Sequence, residues 1–185
     1  MIFLVTTLYK RILDKRFNLL DAAVQQFHSL RGTHRLNGRC SIRGPESFLG
    51  RVMCTLMRLP SACNDGVFCF DLEADKSGEI WTRRFPRRTM RSRLRTDVGG
   101  FLDEHIGPAQ LRFSLEVKQG QLSMHLEAIH ILGIPWPTRW FPEVWAVEHG
   151  IGQHFHFDVG AKFRNLGLLV AYSGHLDLAD LDGST

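Results

Sequence analysis

Arg83 stands in Trp81-Thr82-Arg83-Arg84-Phe85. An alternating strand would turn it the same way as Trp81 and Phe85 and send Arg84 the other way. A guanidinium on an apolar face needs a partner, because an unpaired buried ion costs several kcal/mol. Two carboxylates are candidates: Glu104, in Asp103-Glu104-His105-Ile106-Gly107-Pro108, and Glu148, which shares a strand face with Ala146. One outcome is a structural Arg–Glu clasp. The other is a cavity in which Arg83 anchors an anionic or carbonyl group, Glu104 and Glu148 stand beside it, and Trp81, Phe85 and Met90 supply apolar wall. In the same cavity Glu104 or Glu148 could act as a base while Arg83 stabilises developing negative charge. His28, on the first long helix, is a third candidate for proton transfer.

Other chemistries are signalled more weakly. His154-Phe155-His156-Phe157-Asp158 puts His154, His156 and Asp158 on one strand face, with His149 upstream. Paired imidazoles with a carboxylate can hold a transition metal, but no further ligand stands at a fixed spacing, so an exposed polar face is expected instead. Cys40, Cys54, Cys63 and Cys69 contain no C-x-x-C and read as small buried residues in a reducing compartment. Seven arginines lie between Arg83 and Arg95. Met90, Ser92 and Leu94 share one face of their strand while Arg91, Arg93 and Arg95 share the other, an outer row that could meet a polyanion. Without interleaved aromatics or a recognised nucleic-acid motif, nucleic acid is disfavoured as a partner. No P-loop, nucleophile elbow or dinucleotide fingerprint is present, and no cofactor is expected.

These residues need a scaffold. Leu8 to Leu13 and Leu19 to Leu30 read as amphipathic helices, the second with Leu20, Ala23, Val24, Phe27 and Leu30 on one face. A third helix is expected over Ser47 to Leu59, capped by Ser47, ended by Pro60, with Phe48, Val52, Leu56 and Leu59 on its apolar face. Arg39 to Gly44 reads as a strand. From Val67 the period becomes two, over Val67–Leu72, Glu79–Phe85, Thr89–Thr96, Leu111–Val117, Leu122–Ile131, Trp145–His149, His154–Lys162 and Leu168–Leu176. Hairpin turns between them make the strands antiparallel. The expected fold is α+β: an antiparallel β-barrel or half-barrel of about eight strands, with N-terminal helices covering an end or face.

The chain has 185 residues, 44% hydrophobic and 23% charged, with a net charge of +4. That suits one globular domain over 1–185 and excludes wholesale disorder. No apolar run reaches the roughly 20 residues a membrane helix needs. The basic residues Lys10, Arg11, Lys15 and Arg16 follow the apolar start instead of preceding it, so no secretion signal is read and a cytoplasmic location is expected.

Taken together, the residues resemble a bacterial family, the domain-of-unknown-function 4166 family, over about residues 8 to 178. The resemblance rests on Leu8-Tyr9, Val24-x-x-Phe27-His28, Gly38 to Gly44, Leu59-Pro60, Trp81-x-Arg83-x-Phe85 with Ser92, and Glu104-x-x-Gly107-Pro108. It continues through Gly133-Ile134-Pro135-x-Pro137, Pro142, Ala146-x-Glu148, Phe157-Asp158-Val159 and Gly167-x-Leu169-Val170-x-Tyr172-x-Gly174. It implies no assigned activity. Some relatives carry a saccharopine-dehydrogenase-like nucleotide-binding domain ahead of a similar one; its glycine fingerprint does not occur here, so no cofactor carries over. Arg83, Glu104, Glu148 and His28 fall at family motif positions; the His154/His156 pair and the outer arginine row do not. The expected function is binding of a small, partly apolar, anionic or carbonyl-bearing molecule in a barrel cavity. The alternatives are an enzyme using the same cavity, and an interaction module working through the arginine row.

Overall fold

A computed structural model describes residues 6–56, 59–97 and 99–181. Eleven strands follow the opening helices, and every strand pairing is antiparallel. They are β1 Gly32–Arg43, β2 Cys63–Ala74, β3 Glu79–Phe85, β4 Arg88–Thr96, β5 Leu102–Ile106, β6 Ala109–Lys118, β7 Gln121–Ile131, β8 Ile134–Pro135, β9 Glu143–Ile151, β10 His154–Phe163 and β11 Gly167–Asp177. β1 to β7 pair in sequence; β7 pairs with β9, β9 with β10, β10 with β11, and β11 with β1. The sheet is thus a closed barrel of ten strands, with β8 as a two-residue addition folded back on the end of β7. Closure gives each of the ten strands a neighbour on both sides, the β7–β9 seam being the shortest, with two residue pairs.

Of the expected barrel or half-barrel, the closed barrel is the one observed, and the expected count of about eight strands is corrected to ten. β5 escapes a pattern reading because its centre is Asp103-Glu104-His105, three polar residues without alternation. β2 begins in Cys63-Asn64-Asp65-Gly66, a turn-like composition that pairs only because the far end of β1 lies opposite.

Alternation decides what fills the lumen. Leu36, Phe68, Phe70, Leu72, Leu94, Phe113, Leu122, Phe155 and Phe157 all point inward and are buried. Phe68, Phe70, Phe85, Phe155, Phe157 and Trp81 form a continuous aromatic filling with Phe27 and Tyr172. Such rings bury large apolar areas and interlock edge to face.

The N-terminal helices plug one end of the barrel. α1 (Leu8–Leu13) ends where expected, but the second helix is shorter: a 3-10 stretch over Asp14–Leu19, then α2 (Ala22–Phe27). Leu20, Ala23, Val24 and Phe27 are buried as their spacing predicts. The plug is pinned at the β6–β7 turn. Gly120 adopts φ +84°, which lets its carbonyl accept the Asp21 amide at 2.8 Å, and Asp21 Oδ2 accepts the Gly150 amide at 2.8 Å. A side chain at Gly120 would collide with the Asp21 carboxylate.

α3 (Phe48–Leu56) sits at the opposite end. Ser47 Oγ accepts the Gly50 amide at 3.0 Å, the expected N-cap. Its expected apolar face does not enter the core: Phe48 and Val52 are exposed, and the helix rests on β11 through Cys54, whose thiol donates to the Leu169 carbonyl. Leu59 is half-buried; the Leu56 side chain and residues 57–58 lie outside the described residues.

Candidate functional site

The plugged end of the lumen holds a group of polar side chains that a hydrophobic filling would exclude. Tyr9 comes from α1, His28 from the residue capping α2, and Glu79, Trp81 and Arg83 from β3. Ser92 comes from β4, Glu104 from β5, Glu148 from β9 and Tyr172 from β11. Glu104 is half-buried and the others are buried. Alternation places Glu79, Trp81, Arg83 and Phe85 on one face of β3, so one strand delivers an acid, an indole and a guanidinium to the same wall.

Arg83 takes Glu104 as its partner. Nη1 and Nη2 donate to Glu104 Oε1 at 3.2 and 3.1 Å, and Nη1 also donates to Ser92 Oγ at 3.0 Å. The guanidinium carbon lies 4.9 Å from the Trp81 ring centre. Burial alone would lower the affinity of Arg83 for its proton; Tyr172 and Glu104 outweigh it, so the side chain stays charged. The expected clasp therefore exists with Glu104, and Glu148 is placed elsewhere.

Glu148 belongs to a second pair. Its Oε2 lies 2.6 Å from His28 Nε2, with the His28 side chain fully buried. The other ring nitrogen, Nδ1, has no hydrogen-bond partner among the described residues. Tyr9 stacks on the imidazole at a 3.6 Å ring separation, and its buried hydroxyl is likewise without a partner. Burial, then Glu148, Glu79 and Glu104, push the Tyr9 hydroxyl well above the ordinary phenol range. Tyr172 is raised as well, chiefly by burial. Glu79 accepts Trp81 Nε1 at 2.8 Å and is held above the usual carboxylate range by burial, which the charge of His28 and the indole bond only partly offset.

Beside these groups lies a cavity of about 30 Å³, lined by Arg83, Glu148, Tyr172, Trp81 and phenylalanines including Phe68 and Phe157. It has room for a water or two. A larger groove of about 370 Å³ lies outside the barrel, beside the Asp75–Gly78 turn, with Glu73, Asp75, Arg93 and Arg95 on its walls.

The sequence-predicted residues are thus partly gathered. Arg83, Trp81, Phe85, Glu104, Glu148 and His28 meet in the lumen, and Met90 is buried. Glu79, Tyr9 and Tyr172 complete the group without having been singled out. Glu79 and Tyr172 carried a signal in their alternation with Arg83 and Val170. The placement of Tyr9 depends on how α1 enters the barrel, which no local pattern encodes.

His154 and His156 come together on the outer wall with His149 and His175, at ring separations of 5.1 to 6.3 Å. Asp158 does not join them, because its Oδ1 accepts Trp145 Nε1 at 2.8 Å. Asp177 lies beside His154 and His175 instead, at 3.1 and 3.7 Å. Burial and its three histidine neighbours lower the His156 pKa. Among the described residues no group of three or more His, Cys, Asp or Glu side chains is placed to hold a metal ion. Arg91, Arg93 and Arg95 are exposed as a row, with Arg91 3.5 Å from Glu73; on β3, Arg84 shares Asp71 with Arg35.

The family described as Domain of unknown function (DUF4166) matches residues 20–176. No curated protein matches the chain. Among solved structures, the crystal structure of Rv2717c from M. tuberculosis aligns at a TM-score of 0.46 and 12% identity, covering 86% of this chain and 98% of that one.

Proposed function

The chain belongs to the DUF4166 family, and on that premise we propose that its lumen binds a small, partly apolar molecule through an anionic or carbonyl group held at Arg83. The observation that carries this is the set of buried polar groups left incomplete. The Tyr9 hydroxyl and His28 Nδ1 lack partners, and they stand in the same lumen as a charged guanidinium and three carboxylates. Unpaired buried polar groups are costly, and well-packed apolar residues often replace a buried ion pair without loss of stability. A barrel selected for stability alone has no use for them.

The cavity of about 30 Å³ is far smaller than the roughly 300–1,000 Å³ of ordinary ligand sites. The occupant is accordingly small, or it enters by turning Phe68 and Phe157 aside. The barrel wall is weakest between β7 and β9, which pair only at Leu122–Glu148 and Ser123–Val147. Entry at this seam brings a ligand past Glu148 to Arg83.

A second reading has the same site performing acid–base chemistry, favoured by the 2.6 Å contact between His28 and Glu148. Glu148 would orient the imidazole and Nδ1 would take the proton. Glu104, committed to Arg83, is the poorer base.

Native mass spectrometry of the protein purified from cells, set against its denatured mass, is the first test. A co-purified small molecule that is absent from the Arg83→Met protein is the expected result. A bare mass, with no thermal shift across a panel of small carboxylates and ketones, would remove the proposal. Turnover of a bound compound, abolished in His28→Gln with binding retained, would promote the second reading.

A further inference from the structure

Of the ten large apolar side chains exposed among the described residues, seven stand at the end of the barrel opposite the helical plug. Phe48, Leu49 and Val52 lie on α3; Leu132, Ile134, Trp136 and Trp140 lie in and after the turn that follows β7. Strand order makes them neighbours. α3 rests on the start of β11 through Cys54, β10 ends beside it, and β9 begins at Glu143, directly after the tryptophan turn. The strand order β11, β10, β9, β7 and β8 places the two apolar groups along one rim.

The rim is also basic. Arg43, Arg51, Arg87, Arg139, Lys162 and Arg164 are exposed there, against Glu46 and Glu143; Asp65, also near this end, is paired with Arg39. Two of the arginines lie over the exposed rings: Arg139 is 4.9 Å from the Trp140 centre and Arg51 is 6.0 Å from that of Phe48. Trp136 and Trp140 meet edge to face at 6.0 Å, and Trp136 Nε1 donates to the Trp140 carbonyl.

We propose that this rim docks the barrel on an anionic lipid bilayer surface. Phe48, Leu49, Val52, Leu132, Ile134 and the tryptophan pair enter the boundary between headgroups and acyl chains, and Arg51 and Arg139 hold phosphates at the level of the rings. Tryptophan favours that boundary because its body is apolar and its N–H polar. An amphipathic helix with basic neighbours binds it by apolar burial plus attraction to anionic lipid. The charge excess selects this occupant over a neutral apolar partner: a second copy of the chain would bring the same arginines face to face. The inference does not depend on the lumen holding a ligand.

The test is co-sedimentation of the intact chain with vesicles of phosphatidylcholine alone and of equimolar phosphatidylcholine and phosphatidylglycerol, with tryptophan emission recorded in parallel. Binding to the anionic vesicles is expected to be tighter by about tenfold or more, to weaken with added salt, and to shift emission to the blue. Trp136→Ser/Trp140→Ser and Phe48→Ser/Leu49→Ser, all at exposed positions, are each expected to weaken binding by about tenfold with the melting curve unchanged. Absence of vesicle binding by folded protein would overturn the proposal. So would binding that survives both double variants, or that falls only when Arg91, Arg93 and Arg95 are replaced. A dimer that Trp136→Ser/Trp140→Ser dissociates would give the rim to a second copy and equally overturn it.

Discussion

Arg83 and Glu104 show how a buried pair differs from either of its halves. Both are largely withdrawn from solvent and joined by two hydrogen bonds, so removing one strands the other. Arg83→Met alone is expected to cost about 3–5 kcal/mol in denaturant unfolding, and Arg83→Met with Glu104→Met to recover most of it. A double variant no more stable than the single would place the cost in packing against Trp81. Glu79 gives a pH signature. Its folded-state pKa is raised, so the native state holds the proton longer than the unfolded chain does, and wild-type stability falls as pH rises through that window. Glu79→Gln keeps an acceptor for Trp81 and has no proton to lose. The variant is expected to match the wild type near pH 4 and to exceed it increasingly toward neutrality. A difference that does not change with pH would mean Glu79 is not strained by burial.

At the scale of elements, the outer face of β4 is separable from its inner one. Met90, Ser92 and Leu94 are buried while Arg91, Arg93 and Arg95 face water. Exposed ion pairs such as Arg91 with Glu73 contribute little, about 0–1 kcal/mol. Changing the three arginines to Gln together should therefore leave the calorimetric melting point nearly unmoved, whereas a large drop would mean that the row supports the fold. α3 teaches the opposite lesson. Its apolar spacing predicts burial, yet Phe48 is 74% exposed, and the helix meets β11 instead through the buried Cys54, whose thiol donates to the Leu169 carbonyl. Amphipathic periodicity marks an apolar face without saying what covers it.

Over the whole molecule, closure ties the chain's parts into one unit. β1 pairs with β11 across the entire sequence, and the plug joins α2 to β6–β7 and β9. Far-UV circular dichroism and tryptophan emission are expected to report one coincident thermal transition. Because Trp81 reports the lumen and Trp136 and Trp140 the opposite rim, separated transitions would show that the two ends unfold independently.

Local physics carries far in this chain. Period-two alternation from Val67 onward, hairpin turns and helical spacing lead to an antiparallel barrel or half-barrel with N-terminal cover, and alternation alone turns Arg83 inward and Arg91, Arg93 and Arg95 outward. That much is legible because inside and outside are decided residue by residue along a strand. Partner choice is not: Glu104 and Glu148 are equal candidates for Arg83 until strand order puts β5 beside β4 and β9 within reach of α2. The tenth strand, the closure of β1 on β11, the arrival of Tyr9 against His28 and the gathering of apolar and basic residues on one rim are likewise tertiary decisions. Each joins residues distant in sequence through the register of a closed sheet, which no single segment contains.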